Sequence, residues 1–164
     1  MAFREYSTDE IVVRWDSSRC IHTAMCLRAL PEVFDVGHRP WIDLARADAD
    51  SVADAVRRCP TGALQFELRG EREQGEHPTV VASILGGPLL LRGELTFRNV
   101  EGEQVNETRV ALCRCGASAN KPFCDNSHVR VGFEGLRLTE PPDRAAAESP
   151  ADVGQRQSEA GRDV

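Results

Sequence analysis

The sequence predicts an α+β chain built from two small halves and a tail. Three observations lead there. In the first half, apolar residues recur at helical spacing between two short alternating runs. In the second half alternation dominates and glycines punctuate it. Between them lies a polar stretch, residues 71–77 (Glu-Arg-Glu-Gln-Gly-Glu-His), followed by Pro78, as in a linker. The expected organisation is therefore a first domain over 1–70, a linker over 71–77, a second domain over 78–138 and a tail over 139–164. From Pro141 onward the chain is mostly Pro, Ala, Asp, Glu, Arg and Ser with no aromatic residue. Such a segment buries too little surface to offset its ordering entropy and is expected to be disordered.

The elements follow in order. Residues 11–15, Ile-Val-Val-Arg-Trp, suit a short strand. Residues 24–30 suit a short helix stopped by Pro31. A second helix has Asp48 or Asp50 as its cap, with Val52, Ala55, Val56 and Cys59 on one face at i, i+3, i+4 and i+7. Pro60 and Gly62 end it, and Leu64, Phe66 and Leu68 alternate as a strand. In the second half, strands are expected over 80–84, 89–91, around Leu95 and Phe97, and over 109–112. Turns fall at Gly86-Gly87-Pro88, Gly93 and Gly102.

Composition narrows the function. A net charge of −6 lacks the electrostatic footprint of a nucleic-acid binder, and no polybasic run suits an acidic membrane. No apolar stretch approaches the ~20 residues that span a bilayer. The first ten residues carry charges where a secretory leader has its apolar core. Cytoplasmic residence is the expectation. In that reducing compartment the six cysteines serve as ligands in preference to disulfides. Halves of about 60–70 residues have marginal cores and commonly use a metal as a staple.

Cys113, Cys115, Cys124 and His128 fall within sixteen residues, interleaved with Gly and Pro. A set of three cysteines and one histidine serves structural zinc and iron–sulfur clusters alike. The ligands come as two pairs, which suits two irons with two ligands each; zinc remains the alternative on spacing alone.

The wording of this segment resembles the CDGSH iron–sulfur family: Cys113-x-Cys115-x2-Ser118-x3-Pro122-x-Cys124-Asp125-Asn126-Ser127-His128. The resemblance extends back to Gly87-Pro88-Leu89 and forward to Gly132-Phe133, roughly residues 78–138. It implies a small β-rich domain holding one 2Fe–2S cluster. Cys113 and Cys115 would hold the inner iron, and Cys124 and His128 the outer, more exposed one. The family's glycine is Asn126 here. If that position is left-handed, Asn is the next cheapest residue after Gly. Asp125 is expected to cap a short helix starting there. Lys121, the single lysine among twenty basic residues, and Arg114 would place positive charge beside an anionic cluster. A ligating His128 makes the cluster acid-sensitive, because protons compete with iron for the imidazole.

Cys20-x5-Cys26 followed by Cys59-Pro60 is a sparser signature. Set against the bacterial ferredoxin run Cys-x2-Cys-x2-Cys-x3-Cys-Pro, Cys20 and Cys26 take the first and third positions and Thr23 the second. Leu30-Pro31 replaces the fourth, and Cys59-Pro60 matches the distant closing cysteine. Residues 9–69 thus resemble the divergent mono-cluster ferredoxins, which implies a ferredoxin-like α+β domain with its cluster beneath the loops. Three thiolates suffice for a 3Fe–4S cluster; a 4Fe–4S cluster needs His22 or solvent on the fourth iron. His38 and His77 read as ordinary loop residues.

Together these features imply a two-cluster electron carrier and not an enzyme, since no substrate-binding machinery is visible. Its partners would be a redox protein donor and acceptor, with no nucleic acid and no membrane, and the chain a monomer or homodimer. An iron–sulfur sensor or cluster-transfer protein is the alternative, and a zinc-binding structural module a further one.

Overall fold

The computed structural model describes residues 3–98 and 102–135; the tail expected over 139–164 lies outside them. The fold is α+β, with two antiparallel sheets and three short α-helices among the described residues. The first sheet contains β1 (Phe3–Ser7), β2 (Ile11–Asp16), β3 (Leu64–Leu68) and β4 (Glu71–Arg72), in that spatial order. Between β2 and β3 run α1 (Met25–Ala29) and α2 (Ala49–Arg57). The second sheet is β5 (Val80–Ser83), β6 (Leu89–Arg98) and β7 (Gln104–Leu112), followed by α3 (Ser127–Arg130).

The first half is organised by its periodicities. In β2, Ile11 and Val13 point into the core, and across the register Val13 faces Phe66 of β3. The Asp48 carboxylate caps α2 by accepting the Ser51 N–H at 2.9 Å. The helix then buries Val52, Ala53, Ala55 and Val56 against that sheet face and against Phe34 and Ile42. Cys59 lies just past the end of α2, with its thiol still inside this core.

Two differences from the sequence expectation have physical reasons. Strand β1 carries no apolar alternation: of Phe-Arg-Glu-Tyr-Ser only Tyr6 is partly covered, and backbone pairing with β2 holds it. Residues 71–77, expected as a linker, begin as a strand pairing Glu71 and Arg72 with Leu68 and Glu67. In the second half the strand fragments join up. The segments at 89–91 and 95–97 are one strand, β6, whose register against β7 shifts between Arg92 and Leu95. Gly93 sits inside that shift at φ 146, where a side chain would meet Thr79.

The halves are joined by two buried arginines. Arg109, on β7, is 1% exposed and reaches into the first half. There it pairs with Glu73 and donates to the carbonyl oxygens of Val56, Cys59 and Leu64. Burial pushes the Glu73 carboxyl up, against the pull of Arg109, and burial lowers the Arg109 guanidinium. Arg19, beside Cys20, donates to both oxygens of Glu107 on β7, at 2.7 and 3.1 Å, and to the carbonyls of Thr61 and Arg109. Gln65 donates to the same carboxylate at 2.8 Å.

This packing explains the glycine of Cys59-Pro-Thr-Gly62. Gly62 has φ +65, and a Cβ there would collide with the Arg109 carbonyl oxygen and crowd the Arg19 guanidinium. Gly70 is equally left-handed, at φ +85, but has open space around it. Gly70→Ala is therefore expected to cost only the left-handed backbone penalty of about 1–2 kcal/mol. Gly62→Ala should cost clearly more. Denaturant unfolding of the two variants checks this; equal losses would mean that β7 does not press on Gly62.

Candidate metal centres

The C-terminal site is assembled by a return of the chain onto the end of β7. The Cys113 N–H donates to the Pro122 carbonyl at 2.9 Å, and the Cys124 N–H donates to Ala111 at 2.8 Å. These bonds set Cys113 and Cys124 side by side. Ser118, buried, fastens the intervening loop: its hydroxyl donates to the Phe123 carbonyl at 2.7 Å and accepts the Asn120 N–H at 3.0 Å. Asn126 adopts the left-handed conformation at φ 71, ψ 6, which Asn tolerates better than most residues. Asp125 accepts from the amides of Ala119 (2.8 Å) and Ser127 (3.0 Å). The Ser127 hydroxyl and these amides hold its carboxyl well below the usual range. The carboxylate thus ties the loop to the first turn of α3, which carries His128.

The four side chains meet as two pairs. Cys113 Sγ and Cys115 Sγ are 3.8 Å apart, and Cys124 Sγ lies 3.3 Å from His128 Nδ1. Among the described residues no three or more His, Cys, Asp or Glu side chains gather around one metal-ion position. Burial opposes ionisation of Cys113, but the amides of Ser118, Gly116 and Cys115 and the Cys115 thiol outweigh it and hold its pKa low. Cys124 goes the other way: burial raises it, and charge on Cys113, Asp125 and Cys115 adds to the rise. Amides of Ala117 and Asn126 point at the sulfurs of Cys115 and Cys124, each at 3.4 Å. The site therefore offers one thiol ready to ionise and one that needs a cation to do so.

Lys121 and Arg114 both find partners in or next to the ligand loop. Lys121 Nζ donates to the Ser118 carbonyl at 2.8 Å. Arg114 donates to Ser83 and Ile84 and lies over the Phe133 ring, joining the start of the domain to its end.

The N-terminal site gathers Cys20, Cys26 and Cys59 from a turn after β2, from α1 and from the end of α2. All three line one pocket with His22 and Thr23. The connecting loop contains two left-handed residues that are not glycine, His22 and Ala24, both at φ 56. Such conformations are uncommon and turn backbone amides inward as anion-binding concavities. The His22 amide here favours the Cys20 thiolate, and the Leu27 amide favours that of Cys26. Burial nevertheless dominates, with repulsion from Cys59 behind it: Cys20 is raised, and Cys26 is pushed up to about 11. Thiols that resist ionising, as Cys20 and Cys26 do, are stabilised as thiolates by a shared cationic core. His22 Nδ1 lies 3.9 Å from Cys20 Sγ.

Two side chains that sequence reasoning missed test whether a cluster fits. Trp15 and Trp41 line the same pocket, with rings edge to face and centroids 4.9 Å apart. Both indole N–H groups are buried without a hydrogen-bond partner. The Trp15 N–H favours the Cys20 thiolate while closing no bond to the neutral thiol. A buried, unpaired donor costs about 1–3 kcal/mol, and sulfide or thiolate sulfurs are the acceptors that would satisfy these two. The residues present fit an iron–sulfur group. The available signal was that these are the chain's two tryptophans, but only the fold brings them into one pocket with the cysteines.

Among the described residues no helix is long and apolar enough to cross a membrane. Comparison with known proteins matches a different family to each half of the chain. A family described as a divergent 4Fe-4S mono-cluster matches residues 6–68. A family described as an iron-binding zinc finger of CDGSH type matches residues 86–129. Similar proteins include "Uncharacterized protein YjdI" of Escherichia coli strain K12 and its counterpart in Escherichia coli O157:H7. Each is 30% identical over 64 residues, 39% of this chain and 84% of theirs. The chain is thus an iron–sulfur protein that joins a member of the divergent mono-cluster family, at its N-terminal side, to a CDGSH-type domain.

Proposed function

We propose that this protein is a one-electron carrier with two iron–sulfur sites. Cys113, Cys115, Cys124 and His128 hold a 2Fe–2S cluster. Cys20, Cys26 and Cys59 hold a 3Fe–4S cluster, or a 4Fe–4S cluster whose fourth iron takes His22 or solvent. The observation that carries this reading is that the C-terminal ligands meet as two pairs, 3.8 Å and 3.3 Å within pairs, while among the described residues no three of them surround one metal-ion position. One zinc ion needs four ligands around a single point, whereas two irons need two pairs. Bound iron–sulfur clusters supply single-electron exchange at potentials set by ligand type, charge and exposure.

The protein's own residues tune and guard the sites. His128, half-buried on a four-residue helix, is the one neutral ligand and places the C-terminal site at higher potential than an all-thiolate one. Trp15 and Trp41 line the pocket of the N-terminal sulfurs and bring it two buried, unpartnered N–H donors. In this reading the chain works in the reducing cytoplasm as a monomer or homodimer. Its partners are redox proteins, and neither nucleic acid nor a membrane is involved.

Cluster transfer is the alternative, favoured by the position of His128 beside Val129 and Val131, which are 68% and 50% exposed. Mixing the loaded protein with an apo-ferredoxin separates the two: retention with reversible reduction supports the carrier, and rapid cluster movement supports transfer.

An anaerobic preparation should be coloured and contain iron and inorganic sulfide; a colourless protein holding only zinc would contradict the proposal. Cys59→Ser should remove the N-terminal paramagnetic signal and leave the C-terminal one. Loss of both signals in a folded variant would show that the two sites are misassigned. Acid should bleach the C-terminal absorption as protons take His128 Nδ1, and His128→Cys should slow that bleaching. An unchanged rate would remove His128 from the ligand set.

A further inference from the structure

Residues adjacent to the ligands of one site touch residues adjacent to the ligands of the other. Arg19 precedes Cys20 and Phe123 precedes Cys124. The Arg19 guanidinium lies over the Phe123 ring, 4.5 Å from its centroid. Close by, the Asn120 side-chain amide, in the loop between Cys115 and Cys124, donates to the Ser18 carbonyl at 3.0 Å. A second connection runs through Arg109, which donates to the Cys59 carbonyl at 3.2 Å from a strand ending next to Cys113.

The contact is also rigid. Arg19 is 4% exposed and held by Glu107, by the Thr61 carbonyl and by the Arg109 carbonyl. Its charge is matched by Glu107, so a change of charge at either site meets a neutral, pre-organised junction. Electron tunnelling decays steeply with distance and more slowly through bonded, packed atoms than through solvent. Here the route from Cys20 to Cys124 has one through-space step, the Arg19–Phe123 stack, between covalent segments.

We infer that the Arg19–Phe123 junction makes the two sites an internal relay, passing one electron between them within a single molecule. This rests on the two-cluster reading above. An external one-electron donor reduces one site; that site is then oxidised by one electron as the other is reduced by one, and no bond is made or broken. Arg19, Phe123 and Asn120 act as positioning residues, since none is among the ligands.

The test uses the full-length, cluster-loaded protein. Flash photoreduction with a one-electron dye, at less than one electron per chain, is followed by visible absorption. A redistribution phase whose rate is independent of protein concentration is expected. Phe123→Leu should leave the midpoint potentials and spectra of both sites in place and slow that phase several-fold; a junction that only holds the halves together would leave the rate unchanged. Paramagnetic resonance of the unaltered protein decides the matter even if the variant does not fold. The C-terminal signal should relax faster when the N-terminal site is also paramagnetic. Magnetic independence of the sites, or a redistribution rate that rises with protein concentration, overturns the relay while leaving a two-cluster carrier in place. Absence of two reversible iron–sulfur signals would instead overturn the carrier reading itself.

Discussion

Arg109 leaves β7 and ends inside the other half of the protein, where the carbonyls of Val56, Cys59 and Leu64 and the carboxylate of Glu73 surround it. The rest of the arrangement depends on this insertion. It caps the end of α2 just where the chain turns to present Cys59. It brings β7 against Gly62, and the same strand carries Glu107 to Arg19. Removing one partner of a buried pair typically costs about 3–5 kcal/mol, because the other charge is left without compensation. Set against a total stability of about 5–15 kcal/mol for a domain, that is enough to separate or unfold the halves. The second sheet is short of core of its own, with Val110, Ala111 and Cys124 its few buried apolar residues among those described. It borrows rigidity from the first half through these arginines.

The two sites use different physics to reach the same end. In the C-terminal loop, backbone amides and the Cys115 thiol favour ionisation of Cys113, so one ligand is prepared before iron arrives. In the N-terminal pocket burial and mutual repulsion work against ionisation, and binding must release protons from reluctant thiols. The cost is offset by indole donors with no partner in the protein itself. A site of that second kind is expected to depend strongly on its cluster for folding, because its polar groups are satisfied only when a sulfur acceptor is present.

The ligand-bearing segments were legible in the sequence because local spacing carries them. Cys113 through His128 is a continuous stretch, and Asn126 in a left-handed turn follows from what Asn tolerates better than most non-glycine residues. Helix α2 was legible from its cap and its apolar face. Strand β1 was not, since an exposed edge strand is held by backbone pairing and needs no apolar alternation. Nor was the union of the halves. The pairing of Arg19 with Glu107 and of Arg109 with Glu73 spans up to 88 residues of chain and leaves no periodic trace. Residues 71–77 look like a linker by composition, yet Glu73 is where the second half is anchored.

Mössbauer spectroscopy of isotopically enriched, anaerobically prepared protein tests the central claim most directly. The account predicts two iron populations. One is a two-iron set whose irons become inequivalent on reduction, one of them carrying a nitrogen ligand; the other belongs to a cubane-type set held by three thiolates. A single population, or iron bound without sulfide, would contradict it.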